Sequence, residues 1–170
     1  MNNFIFQNST KVYFGRGCVR EYLAALTEKA DTVMLAYGGG SIRKNGIYDE
    51  ITGVLKDAGK TVAEFSGIMS NPTFKKVLEG AALAKECGAD MILAVGGGSV
   101  MDCCKAVSLA AKYHGDIWDD FWSRAGVVDF DPLPLVVIVT VSGTGSECNG
   151  GAVITNEDKH IKTGRDYPAL

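Results

Sequence analysis

The sequence withholds several things at once. No stretch of it approaches the roughly 20 apolar residues needed to span a bilayer. Its first residues, MNNFIFQNSTKVYFG, lack the basic start and long apolar middle of a secretory signal. The five cysteines (Cys18, Cys87, Cys103, Cys104, Cys148) are odd in number and form no CxxC pair. A disulfide framework is therefore excluded as a design principle, and each thiol reads as a small buried hydrophobe in a reducing, cytoplasmic setting. Basic charge is also short. A net charge of -3 and a pI near 5.4 give no electrostatic footing for nucleic acid or an anionic membrane. Histidine is scarce: His114 and His160 are the full complement and read as surface or structural groups, so no metal centre is expected within these residues. There is no low-complexity segment and no linker.

Apolar residues are what the chain does have, 46% of a 170-residue length, enough for one real core. FIFQ (3–6) and KVYF (11–14) predict two short strands. A helix is expected over 19–30, with Leu23, Leu26 and Ala30 at helical spacing. TVMLAY (32–37) predicts a strand, 45–59 a helix closed by Gly59, and TVAEFS (61–66) another strand. Further on come a helix over 71–88, the strand MILAV (91–95), a helix over 100–113, the strand LVVIVTV (135–141) and a terminal hairpin, GAVITN with KHIKTG. The strands are apolar throughout rather than alternating, so both faces are covered. The expected fold is α/β: a Rossmann-like parallel sheet with helices on both faces.

Two of those strands end alike. VMLAYGGGSIR (33–43) and ILAVGGGSVMD (92–102) each drive an apolar run into three glycines and a serine. In an open parallel sheet, ligands sit beyond the carboxyl ends of the strands. Glycine lets the backbone approach a ligand, and a helix beginning there favours an anion. Ser99 is positioned to cap such a helix, with Asp102 completing an S-x-x-D capping box. Neither turn fits G-x-G-x-x-G, and G-x-x-x-x-G-K-[ST] is absent. Two such turns and a third glycine-rich loop, TVSGTGSE (140–147), nevertheless describe a phosphate-binding edge better than a single turn would. After LAY the chain offers Arg43 and Lys44, and no carboxylate follows before Asp49. That favours a second phosphate, the 2′-phosphate of NADP(H), at the first turn and the pyrophosphate at the second. The alternative reading of Arg43 and Lys44 as solvated charges stays open.

Taken together, YGGGSIRKNGIYD, NPT (71–73), GGGSVMDCCKAV and SGTGSECNGGAVIT resemble, in order and spacing, the iron-containing alcohol dehydrogenases, in particular their NADP-dependent butanol dehydrogenase-like branch. The resemblance runs from FIFQNSTKVYFGRG to the tail and implies a dehydroquinate synthase-like N-terminal domain. It places Gly39, Gly40 and Ser41 at the adenosine ribose and its 2′-phosphate, and Asn71 near the adenine. Gly97, Gly98 and Ser99 would hold the pyrophosphate, and Asp102 would orient that turn. Thr140, Ser142 and Thr144 would line the cleft, and Asn149, Val153 and Lys162 would face the nicotinamide riboside. Val141, Ser142, Cys103 and Cys104 depart mildly from the family pattern.

The same resemblance implies that residues 1–170 are the NAD(P)-binding domain of a two-domain enzyme. Its iron or zinc would be held by an aspartate and three histidines of a helical second domain. The implied activity is hydride transfer between NADP(H) and a primary alcohol or aldehyde of the butanol type, in a homodimer joined through its N-terminal strands. The rival readings are a glycerol dehydrogenase-like or dehydroquinate synthase-like enzyme on the same scaffold, and a nucleotide-binding module with no chemistry. The purified 170-residue chain is expected to bind nucleotide weakly, to hold no stoichiometric iron or zinc and to reduce no butyraldehyde. Elemental analysis and an NADPH-oxidation assay check this, and bound metal together with turnover would overturn it.

Overall fold

A computed structural model describes residue 3 and residues 8–170. Four strands form one parallel sheet in the order β2-β1-β3-β4: β1 Thr32–Tyr37, β2 Thr61–Phe65, β3 Met91–Gly96 and β4 Leu135–Val139. Five helices accompany them: α1 Cys18–Leu26, α2 Ser41–Lys44, α3 Ile47–Asp57, α4 Phe74–Glu86 and α5 Gly98–Lys112. A separate antiparallel pair, β5 Gly151–Asn156 and β6 Ile161–Asp166, closes the chain. The expected doubly covered parallel sheet is what forms.

The register explains why the central strands had to be apolar. Val33, Leu35 and Tyr37 of β1 and Leu93 and Val95 of β3 face one side, against Leu23 of α1 and Ile51 and Leu55 of α3. Met34, Ala36, Ile92 and Ala94 face the other, against Val77 and Ala81 of α4 and Met101, Val107 and Leu109 of α5. Successive side chains point to opposite faces, so a strand with a core on each side cannot alternate. The edges differ. β4 is only half-buried, and Glu64 of β2 sits exposed between buried neighbours of the sheet.

Local chemistry sets the element ends. The helix expected over 45–59 forms as α3, and Gly46, at φ 81°, separates it from the short α2 that precedes it. Thr73 caps α4 by accepting from the Lys76 amide at 3.2 Å, which starts that helix three residues after Asn71 rather than at it. Asp90, just before β3, accepts from the Asp31 and Thr32 amides at 3.0 and 2.9 Å and so ties the starts of β3 and β1. Those two amides hold its carboxyl below the usual carboxylate range.

Two expectations change. KVYF (11–14) is not a strand: among the described residues no strand pairs with it, and Phe14 is fully exposed. Of the expected strand 3–6, residues 4–6 lie outside the described residues. Between α5 and β4, where no element was foreseen, Trp118–Ser123 forms a wide π-type turn that buries Trp118, Phe121 and Trp122. The Tyr167 hydroxyl donates to the Phe121 carbonyl at 2.6 Å and binds the chain's tail to that turn.

The α4–α5 contact gives a sharp test. A Cβ on Gly80 would lie 2.7 Å from Val107 Cγ2 and 2.8 Å from the Phe65 ring. Gly80→Ala is therefore expected to destabilise the fold by about 1–3 kcal/mol through overpacking, although alanine favours an unconstrained helix by about 1 kcal/mol. Urea unfolding measures it, and a stabilised variant would show that this contact is looser than described.

Candidate cofactor site

The chain leaves β1 toward β2 on one side of the sheet and leaves β3 toward β4 on the other. The carboxyl ends of β1 and β3 are therefore a topological switch point, where an open α/β sheet leaves a crevice. Both GGGS turns begin there, one at each strand, side by side.

The second turn is the tighter. α5 begins at Gly98, so its N-terminal flanking residue is Gly97, in an extended conformation, and Ser99 lies inside the first turn. The expected Ser99 cap is corrected accordingly. The amides of Val100 and Met101 already bond to the Gly97 carbonyl, which leaves Gly98 and Ser99 at the mouth of the helix. The glycines are required by space. A Cβ on Gly96 would meet Val100 at 2.5 Å, and one on Gly98 would meet Thr144 at 2.7 Å. Gly98 thus admits the third glycine-rich loop against the helix mouth.

Asp102 also has a different job from the one expected of it. Instead of closing a capping box it reaches across to the far side of the cleft. It accepts from the Ser146 hydroxyl at 2.8 Å and the Val153 amide at 3.0 Å. One turn further along α5, Lys105 is buried. Its ammonium donates to the carbonyls of Ser146 (2.6 Å), Asn149 (2.6 Å) and Gly151 (2.8 Å), and to Ser146 Oγ and Asn149 Oδ1. Burial pulls the ammonium below the ordinary lysine range, while Asp102, Asp166 and Glu147 oppose that shift. Sequence reasoning missed Lys105. The only available signal was a lysine on the apolar helix that follows GGGSVMD.

The hairpin β5–β6 completes the cleft. Thr155 donates its amide to the Pro72 carbonyl at 3.0 Å and docks the hairpin on residues 71–73. This brings two expected site residues, 91 positions apart, into contact: Lys162 Nζ donates to Asn71 Oδ1 at 2.5 Å. Asn71 holds a left-handed backbone, φ 55°, which asparagine tolerates better than most residues.

A cleft of about 570 Å³ results. Asn71, Gly98, Ser99, Asp102, Thr144, Asn149, Val153 and Lys162 line it, as do Pro72, Ser146, Gly151 and Asp166, which sequence reasoning did not name. Gly97 adjoins it, close to Val141. Thr140 and Ser142 are exposed on the loop beyond β4, where the Thr140 amide donates to the Gly96 carbonyl at 3.0 Å. Gly39, Gly40 and Ser41 lie outside the cleft lining, at the end of β1, with Gly40 left-handed at φ 92°.

At the first turn Arg43 is not a free cation. Its guanidinium donates to the Tyr37 hydroxyl (3.1 and 2.8 Å) and to Glu64 Oε2 (2.5 Å), and it stacks 3.8 Å above the Tyr48 ring. Tyr48 and Tyr37 also donate to Glu64. These donors, Tyr48 foremost, hold the Glu64 carboxyl below its usual range, and the Tyr37 contact raises Arg43 further. The expectation of a carboxylate-free first turn counted only residues that follow β1, whereas Glu64 arrives from β2.

Among the described residues no group of three or more His, Cys, Asp or Glu side chains could hold a metal ion. Glu157 and His160 do form an E-x-x-H spacing, but it falls on the exposed turn between β5 and β6. In α5 the buried Cys103 and Cys104 pack as small apolar groups, and burial pushes the Cys103 thiol up to about 12.

Residues 9–170 match the iron-containing alcohol dehydrogenases, and the chain belongs to that family. It is 44% identical over 162 residues to a protein named probable NADH-dependent butanol dehydrogenase 2 of Bacillus subtilis, covering 95% of this chain and 41% of that protein. To the NADPH-dependent aldehyde reductase YqhD of Escherichia coli it is 36% identical, covering 92% of this chain and 40% of that one. Among solved structures, the NADH-dependent butanol dehydrogenase A of Thermotoga maritima superposes with a TM-score of 0.91 at 43% identity, over 99% of this chain and 42% of that one. The chain thus spans about two fifths of the length of the relatives it matches.

Lys105→Met tests the ammonium's part in holding this cleft. Removing it strands several carbonyl acceptors, so a loss of about 1–3 kcal/mol in unfolding free energy is expected. Thr144 and Asn149 should lose order with it, measurable as faster amide exchange across 144–151. Unchanged stability and exchange would mean that the loop is held by other contacts.

Proposed function

We propose that this chain is the NAD(P)-binding domain of a metal-dependent alcohol dehydrogenase that interconverts primary alcohols and aldehydes of the butanol type. The observation that carries the reading is the pairing of two glycine turns across one switch point, with Asn71 and Lys162 meeting in the cleft beside the second. The mouth of α5 at Gly98 and Ser99, which lines the cleft, fits a pyrophosphate, and that is the test the dinucleotide has to meet. The nicotinamide would supply the hydride chemistry. This chain's part is to bind the phosphates at Gly97, Gly98 and Ser99, to hold the facing segment at Ser146 and Val153 through Asp102, and to position the nicotinamide riboside with Asn149, Val153 and Lys162. Thr140, Ser142 and Thr144 would border the same path. The described residues offer no ligand set for the iron or zinc of the proposed enzyme, so no step is derived through it.

At the first turn, Gly39, Gly40 and Ser41 would take the adenosine ribose, with or without its 2′-phosphate. The sequence pattern favours NADP(H), but Arg43 is already paired. We therefore propose that both nucleotides bind and that any NADPH preference is held to about tenfold or less. The names of the relatives agree with such latitude, since they include both NADH- and NADPH-dependent enzymes. A homodimer through the N-terminal segment and a cytoplasmic location complete the proposal, and sedimentation at micromolar concentration reads the former.

Calorimetric titration of NADH and NADPH into the 170-residue chain is the direct experiment. Saturable binding of either is expected. Binding of neither would remove the dinucleotide reading. A Cβ on Gly39 would meet nothing within 4 Å, so Gly39→Asp is sterically free. Its carboxylate should repel the 2′-phosphate and accept from a free 2′-hydroxyl, shifting the NADH-to-NADPH affinity ratio by about tenfold toward NADH. An unmoved ratio would place the ribose elsewhere.

A further inference from the structure

Arg43 is the side chain that sequence reasoning would assign to a 2′-phosphate, and it is held by a neighbour from another strand. Four groups make the cluster. Glu64 lies in β2 opposite Leu35 of β1, so its side chain emerges on the α3 face of the sheet near the carboxyl end of β1. There it accepts from Tyr37 (2.7 Å), Tyr48 (2.5 Å) and Arg43 (2.5 Å). Tyr37 is buried and immediately precedes Gly38, so the cluster is fastened to the first turn itself. Tyr48 sits in the first turn of α3 and packs its ring under the guanidinium at 3.8 Å. Arg43 is thus fixed on three sides, yet both it and Glu64 remain partly open to solvent.

An exposed ion pair of this kind adds little to stability. Its consequence for a ligand is larger, because it decides the net charge beside the turn. Arg43 and Glu64 together sum to zero, and Glu64 alone would repel a phosphate dianion. We infer that Glu64 is a specificity-determining residue: by engaging Arg43 it suppresses the affinity of the first glycine turn for the 2′-phosphate of NADP(H) and so keeps NAD(H) usable. This rests on the proposed seating of the adenosine ribose at Gly39, Gly40 and Ser41. Lys44, on the same short helix, has no side-chain partner among the described residues.

The test uses ADP-ribose and 2′-phospho-ADP-ribose, which need only the adenosine half of the site. Their dissociation constants are measured for the 170-residue chain and its Glu64→Gln, Arg43→Met and double variants, at low and at near-physiological salt. Glu64→Gln keeps an acceptor for Tyr48 but removes the charge. It is expected to tighten 2′-phospho-ADP-ribose about tenfold and to change ADP-ribose less than twofold. The gain should shrink with added salt, as a change of charge requires and a change of packing does not. Arg43→Met leaves Glu64 uncompensated and should weaken 2′-phospho-ADP-ribose several-fold, and in the double variant the ratio should return near its wild-type value. An unchanged ratio in Glu64→Gln would overturn the inference. So would a gain in the double variant as large as in Glu64→Gln, since that would show that Arg43 is not the group Glu64 restrains. If wild-type chain and variants bind neither probe, the adenosine site itself has been misassigned, and the dinucleotide reading falls together with the role given to Glu64.

Discussion

Parallel pairing of β1 with β3 is the constraint on which the rest of the molecule depends. It runs from Val33 opposite Met91 to Tyr37 opposite Val95, so both strands finish at the same level. Each then enters a glycine turn, and the chain departs in opposite directions. Had β2 fallen between them, the two turns would stand two strand spacings apart, about 10 Å, instead of side by side. The apolar character of both strands makes the pairing possible, because each needs a core on either side. The place of the proposed phosphate site is thus a consequence of hydrophobic patterning in the middle.

Around that edge the cleft is assembled by contacts that are long in sequence. Asp102 and Lys105 of α5 hold the segment 146–153 from beneath, and Thr155 hooks the hairpin onto Pro72. A carboxylate and an ammonium on successive turns of one helix give the same loop both an acceptor and a donor. The arrangement resembles a bound cation in function: an ammonium among five oxygens organises backbone carbonyls that would otherwise point into an apolar interior.

How much of this was legible depended on the range of the interaction. The central strands and the helix-terminating Gly59 and Gly88 were readable, because apolar runs and left-handed glycines are local signals. Eight of the expected site residues line one cleft, and most of these, Asn71, Asn149, Val153 and Lys162 among them, were placed by the resemblance to the alcohol dehydrogenases rather than by any local signal. Local signals also misled. KVYF has a strand's composition, yet a strand needs a ladder partner, and the described chain supplies none. Ser99 looked like a cap, but the extended Gly97 begins the helix earlier. The pairing of Arg43 with Glu64 was beyond reach, since only the register of β2 on β1 brings those residues together. The WDDFWS turn was hidden for a related reason: its aromatic residues are held by Tyr113, Phe130 and Tyr167 from separate parts of the chain.

The two adjacent thiols of α5 carry a practical meaning of their own. Cys103 and Cys104 are sealed between α5, α4 and the sheet, and burial disfavours the thiolate that an alkylating reagent or peroxide would attack. While the fold is closed they are chemically silent. Any labelling at these positions must wait for α5 to lift from its neighbours, so its rate counts openings of the helix that presents the second glycine turn. The sequence has in effect placed a built-in clock for local unfolding directly beneath the proposed pyrophosphate cradle.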